Sequence, residues 1–267
     1  MTGIKELVDA AAVIPDPAER SRKYKNIVGL LSQEAVRSND HQHIEEALKI
    51  AGMVTDDPSK AYLEIIRAIA KMKHKDKNRF DEAVKISQSI DNDLDLSVAL
   101  HEIVIGFGRY GIDNKDDIIW ADSLDLAQQI PLNSYRAMAY RNLSKAGIDP
   151  KKSLELLNIS IAILEKSKEI RTINQIQTFC DTSSMLARLD DNRSYDFLKK
   201  AIAMADSIME ELEKSAVLLK ILETEIEIGI KFKDKLLLDE AAVISKGIKK
   251  EYYKTLASNA LESYSLS

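Results

Sequence analysis

Cysteine occurs once in this chain, tryptophan once, histidine four times, proline five times and glycine nine times among 267 residues. Each scarcity excludes something. A lone Cys180 forms no intrachain disulfide framework and no cysteine zinc site. So few glycines and prolines leave little punctuation and suit long helices joined by short turns. Neither charge sign dominates: 38 basic against 43 acidic residues give a formal net charge of −5. That balance argues against sequence-independent nucleic-acid binding, which needs many cations facing phosphates. No apolar run reaches the roughly 18 residues that would suggest a membrane-spanning helix. The opening MTGIKELVDAAAVIPD lacks a charged stretch followed by a long apolar one, so no signal peptide is expected and the protein reads as cytoplasmic. What remains is 45% hydrophobic and 30% charged, enough for a substantial core under a solvated surface.

The chain repeats itself. Residues 71–87 and 229–245 share nine identical positions at a separation of 158, among them Asp76/Asp234, Asp81/Asp239, Glu82/Glu240, Ala83/Ala241 and Ser87/Ser245. Self-similarity of this kind marks a repeat architecture. Small and aliphatic residues recur at i, i+1, i+3, i+4 and i+7, which places them on one helical face. Such units begin at 47, 83, 123, 201 and 241, with weaker copies at 7 and 153. The steps between successive starts are 40, 36, 40, 30, 48 and 40 residues, and the last four span the 158 residues between the near-identical copies. A second helix lies between each pair: residues 18–38, 59–73, 96–110, 134–146, 169–189, 214–230 and 250–264. Asp16-Pro17, Asp57-Pro58, Asp91-Asn92-Asp93 and Asp149-Pro150 supply start signals. Ile226, Ile228, Ile230 and Phe232 alternate with polar residues as in a strand, but a lone strand in a helical array would find no bonding partner, so this stretch is assigned to a helix.

These features predict an all-α fold, an α-α superhelix (solenoid) of six to seven stacked helical hairpins forming a single domain over residues 1–267. On Asp81-Glu82-Ala83…Ser87…Ile90 and Asp239-Glu240-Ala241…Ser245…Ile248, the chain resembles the tetratricopeptide-repeat-like superfamily in degenerate form. The usual Trp and Gly-Tyr pair of that family are mostly absent, and Trp120 falls outside the expected slot. The resemblance implies binding of a peptide or protein in a concave groove. Long polar residues recurring on helices otherwise devoted to packing give the candidate groove contacts Arg67, His101, Arg141 and Gln177. The alternatives are a small-ligand-binding protein or enzyme with a pocket enclosed by the solenoid, and a structural role in which the tail from Leu256 to Leu266 caps the array or pairs two copies as a homodimer. The step of 30 followed by one of 48 marks an irregular hairpin around residues 153–201, and irregular units are candidate functional places.

No motif supplies catalysis, a cofactor or a metal. Gly106-Phe107-Gly108-Arg109-Tyr110-Gly111 matches a dinucleotide fingerprint, yet no second parallel strand follows, so it reads as a glycine-rich helix C-terminus ending at Gly111. Asp91, Asp93, Asp95 and Glu102 sit at calcium-loop positions, but Leu96 occupies the place of the obligatory glycine, which leaves capping. His41-Gln42-His43 lacks a helical metal-ligand spacing and reads as a polar loop. Lys71, Lys73, Lys75, Lys77 and Arg79 read as a solvated basic loop. Cys180 is expected to be a buried, inert thiol within a helix.

Overall fold

The computed structural model describes residues 2–167 and 172–265. Among them are fourteen helices and no strand. The first seven are α1 (Thr2–Ala12), α2 (Pro17–Ser38), α3 (Gln42–Ala51), α4 (Ser59–Lys71), α5 (Lys77–Ser87), α6 (Asp93–Asn114) and α7 (Asp117–Gln128). Then come α8 (Asn133–Leu143), α9 (Pro150–Lys166), α10 (Thr172–Arg188), α11 (Ser194–Ala205), α12 (Glu211–Phe232), α13 (Lys235–Gly247) and α14 (Glu251–Ser265). The odd-numbered helices carry the repeated small-and-aliphatic signature, and the even-numbered ones are the second helices of each pair. The alternating Ile226–Phe232 stretch is helical, within α12. The expected helix start at Glu169 and the tail's Leu266 lie outside the described residues.

The chain forms two compact units, one through Ala139 and one from Tyr140. In the first, α2 packs on α4 and α4 on α6; in the second, α10 packs on α12 and α12 on α14. Within each unit these even helices thus lie side by side, and odd helices pack against them. The alanines of the odd-helix signature (Ala47, Ala83, Ala127, Ala201 and Ala241) are fully buried, and their small side chains leave little bulk between neighbouring helices. In the first unit, Phe80 of α5 meets Phe107 of α6 edge-to-face at 5.5 Å, an arrangement favoured by the ring quadrupoles.

Turn chemistry sets the hairpins. Asp16, Asp76, Asn92, Asp116, Asp149 and Asp234 each accept a backbone N–H from the first turn of the following helix, filling orphan donors that would otherwise lack a partner. The three 22-residue helices α2, α6 and α12 end on Asn39, Lys115 and Lys233 in left-handed conformation. The Asp57-Pro58 start works through its proline: Asp57 is left-handed and Pro58 holds the cap position without a side-chain bond, so proline geometry rather than a cap oxygen starts α4.

Buried serines tie neighbouring pairs together. Ser21 of α2 accepts from the N–H groups of Thr55 and Asp56 at 3.1 and 3.2 Å, just ahead of α4. Ser97 of α6 accepts from Leu132 at 3.0 Å, ahead of α8, and Ser215 of α12 from Lys249 and Lys250 at 3.3 Å, ahead of α14. One hydroxyl thus fixes where the next even helix begins, in three places at the same 34–35-residue interval.

The glycine-rich segment does not end α6 at Gly111. The helix runs on to Asn114, because the glycines serve close approach rather than termination. A Cβ on Gly106 would lie 2.5 Å from the Ala70 carbonyl oxygen of α4, and one on Gly111 would lie 2.9 Å from the Trp120 backbone nitrogen of α7. Gly29 in α2, by contrast, has open space where a Cβ would sit. Gly106→Ala must push backbone against backbone. Overpacking of that kind costs about 1–3 kcal/mol and outweighs the roughly 1 kcal/mol gained in helix propensity. Urea denaturation should therefore show Gly106→Ala destabilised and Gly29→Ala stabilised by about 0.5–1 kcal/mol. Two substitutions of the same sign would contradict the close approach of α4 and α6.

Candidate functional site

The four candidate contacts all lie on even-numbered helices. In the first unit, Arg67 of α4 is half-buried and pairs with Glu64 at 2.7 Å and, across the row, with Glu102 of α6 at 3.8 Å. His101, beside Glu102 on α6, stacks edge-on to Tyr135 of α8 at 6.2 Å. A cleft of about 240 Å³ opens between α2 and α4 along Gln33, Glu64, Arg67 and Lys71.

In the second unit Arg141 and Gln177 meet: the Arg141 Nη1 donates to Gln177 Oε1 at 2.7 Å. Arg141 is 8% exposed, and what holds it there is a residue the sequence reading passed over. Asp181 of α10, itself buried, has three cations around its carboxylate. Lys145 Nζ lies 2.6 Å from Oδ2, Lys220 Nζ of α12 lies 3.0 Å from Oδ1, and Arg141 Nε is 3.7 Å from Oδ2. Burial lowers the pKa of Arg141, with the charge of Asp181 pulling the other way. Burial likewise lowers that of Lys145, and the positive charges of Arg141 and Lys220 add to the effect despite the ion pair. For Lys220 burial acts downward too, but the charge and hydrogen bond of Asp181 outweigh it, so its pKa is raised. One carboxylate thus organises more positive charge than it neutralises.

Beside this cluster lies a cavity of about 370 Å³. Its walls come from the α8–α9 turn at Ser144, Lys145, Gly147, Ile148 and Pro150, from Ser153 and Leu157 of α9, from Asp181, Ser184, Met185 and Arg188 of α10, and from Lys220 and Glu227 of α12. Local contacts shape the turn. Asp149 caps α9 through the N–H groups of Lys151 and Lys152, Ser153 donates to the Ser144 carbonyl at 2.8 Å, and Gly147 takes φ +79°. Arg188 and Glu227 close one side through contacts of 2.8 and 2.9 Å. The Ser184 hydroxyl is buried and has no hydrogen-bond partner among the described residues.

Two further buried groups lie nearby on α10 and α12. Burial pushes the Cys180 thiol up to about 12, which keeps it protonated and unreactive. Glu225 of α12 is fully buried, and neither carboxyl oxygen finds a hydrogen-bond partner among the described residues. Burial, with the charge of Glu240 adding to it, raises its pKa to about 8.

The other sequence motifs resolve into structure. The Asp91–Asp95 loop is a capping turn in which Asn92 accepts from the Asp95 N–H at 2.8 Å. His41 lies between Arg79 and Glu82, 3.1 Å from the latter. The basic loop is largely tied down: Asn39 accepts from the Lys73 N–H, Lys75 donates to the Met72 carbonyl, and Lys77 bridges Asp81 and Asp122. No group of three or more His, Cys, Asp or Glu among the described residues is placed to hold a metal ion. No helix among them is long and apolar enough to cross a membrane.

The chain is thus an all-α protein of consecutively paired helices. No family model matches it, and no curated protein matches it. Among solved structures, the crystal structure of Ton1535 from Thermococcus onnurineus NA1 aligns over 98% of this chain and 99% of that one, at 14% sequence identity and a TM-score of 0.29. The functional reading rests on this chain's own side chains.

Two outcomes follow from the buried carboxyls. Asp181→Asn strands three cations and should cost about 2 kcal/mol by urea denaturation, below the roughly 3–5 kcal/mol of fully buried pairs because Lys145 and Lys220 keep part of their water. Glu225 works in the opposite sense. Between its usual 4.5 and about 8, the folded protein holds a proton that the unfolded chain releases. Its contribution is therefore complete below pH 4.5 and declines as pH rises toward 8, by at most about 1.4 kcal/mol per pH unit. Glu225→Gln should flatten that decline in a pH series of unfolding midpoints; an unchanged slope would show Glu225 to be ionised in the folded state.

Proposed function

We propose that this protein is a tetratricopeptide-repeat-like scaffold of the cytoplasm that binds a peptide or protein segment along its even-numbered helices. One observation supports the reading most directly. In both units, polar side chains bridge adjacent even helices on the face where clefts open: Arg67 to Glu102 in the first, and Arg141 to Gln177 and Asp181 to Lys220 in the second. Charged side chains already held in place by cross-helix partners lose less conformational entropy on binding than free ones. A partner laid along such a row meets a fixed pattern of charge and hydrogen-bonding groups.

A photo-crosslinking amino acid at Arg67 or Gln177, compared with one at the exposed odd-helix positions Lys49 and Lys199, tests which row is used. The expected result is a partner captured from the even helices only. With that partner purified, Arg67→Glu should weaken binding at least tenfold, the scale of a contact worth more than about 1.4 kcal/mol. Capture from the odd helices alone, or an affinity unmoved by Arg67→Glu, would overturn the assignment.

A further inference from the structure

The cavity beside Asp181 holds more positive charge than its own carboxylates balance, and a buried donor in its wall is unused. Lys145, Lys220 and Arg188 line it against Asp181 and Glu227, Arg141 reaches Asp181 from outside the lining at 3.7 Å, and Glu223 acts on Lys220 from farther off. A lysine ammonium has three N–H donors, and Lys145 and Lys220 each contact a single oxygen of Asp181. Both side chains remain partly accessible, at 44% and 31%, so the spare donors are open to a ligand. Ser184 lines the same cavity, and its hydroxyl lacks a partner among the described residues. Asp181 thereby acts as an anchor: it holds two ammonium groups at a cavity wall, where a second, exchangeable anion completes the neutralisation.

We propose that this cavity is a binding site for a phosphate monoester, held by Lys145 and Lys220 with Ser184 as a third donor. The donor count selects the class. A phosphomonoester presents three terminal oxygens with up to two negative charges, enough to accept from Lys145, Lys220 and Ser184 together, whereas a carboxylate has two oxygens for the three donors. Lysines suit phosphate as point charges. Arg188, which could grip a carboxylate in bidentate fashion, is already spent on Glu227. The helix end contributes little, because Asp149 occupies the first-turn N–H groups of α9. Beyond the ammonium groups the wall is apolar, through Ile148, Leu157 and Met185, which leaves room for the organic part of the ester. The volume falls within the roughly 300–1,000 Å³ of small-molecule sites. The site stands whether or not the even-helix row binds a peptide.

Calorimetric and thermal-shift titrations of the full chain with inorganic phosphate, free phosphoserine, and a phosphoserine peptide beside its unphosphorylated twin test this, with sodium chloride at matched ionic strength as control. Phosphate and phosphoserine should raise the melting temperature beyond the chloride control. Lys145→Gln, at an exposed position that should leave folding intact, should weaken phosphoserine about tenfold, and Lys145→Gln with Lys220→Gln further still. Ser184→Ala should weaken it a few-fold while leaving the unliganded melting temperature unchanged, because no existing hydrogen bond is lost. A phosphopeptide no tighter than free phosphoserine identifies the source as a small phosphorylated molecule, and one at least tenfold tighter identifies a modified protein; either supports the site. No shift beyond chloride with any phosphorylated probe, or affinities unchanged in both Lys145→Gln and Ser184→Ala, would overturn it.

Discussion

A short helix with a single apolar stripe cannot bury that stripe alone, and everything else in this protein follows from how the stripe is covered. The odd helices run from 10 to 17 residues and have one such face. The even helices must cover that face and also pack on one another, so they are buried on more than one side. α10 shows the consequence: every residue from Thr178 to Ser184 is buried. A helix so enclosed cannot be amphipathic in the ordinary sense. Its small hydroxyl residues solve the problem by bonding to carbonyls, Thr178 to Asn174, Thr182 to Thr178, and Ser183 across to Ser194 of α11.

That enclosure also explains why two carboxyl groups of the second unit met different fates. Asp181 emerges from α10 beside a cavity where three cations can reach it. Glu225 emerges from α12 into packing, where burial first and then the charge of Glu240 favour the protonated form. The difference lies in geometry and not in residue type: a carboxyl is kept by counter-ions where a neighbouring helix supplies them and by protonation where none does.

The helix pairs were legible because their signals are local. The 3.6-residue spacing, the cap residues and the buried alanines all act within a few turns, and α9, the longest odd helix, contributes to the 48-residue step that marked residues 153–201 as irregular. The repeat itself was legible in phase but not in detail. Although Lys73–Ser87 and Lys231–Ser245 are near copies, α4 stops at Lys71 with Met72 extended, whereas α12 continues to Phe232. The closer structural counterpart of that junction is Gly111…Lys115-Asp116, matching Gly229…Lys233-Asp234 in its glycine, its left-handed lysine and its capping aspartate. Arg141 and Gln177 could be named singly, since each is a long polar residue on a packing helix. Their meeting, and the role of Asp181, could not. Lys145, Asp181 and Lys220 are separated by about one repeat each, a spacing that only the side-by-side register of even helices turns into contact. The available signal was an acid set among Cys180, Thr182, Ser183 and Ser184, a composition no solvent-facing stretch requires.

Identical positions in the two copies include the capping aspartates and small packing residues, which any repeat needs, so the distinctive chemistry is to be sought where the repeat departs from itself. The even helices α4 and α8 are 13 and 11 residues long against 22 for α2, α6 and α12. Each short helix leaves an opening past its C-terminus that a longer one would fill. Past α4 lies the cleft lined by Lys71, Lys73, Lys75 and Arg109; past α8 lies the cavity of Lys145. Lysines gather at both openings, in keeping with the negative end of a helix dipole and its unpaired carbonyls. Lys75 shows that use directly by donating to the Met72 carbonyl. At α8 the same tendency was turned outward by a single acid: Asp181 draws Lys145 and Lys220 onto one wall of the cavity, and a site results where the repeat would otherwise have placed a cap.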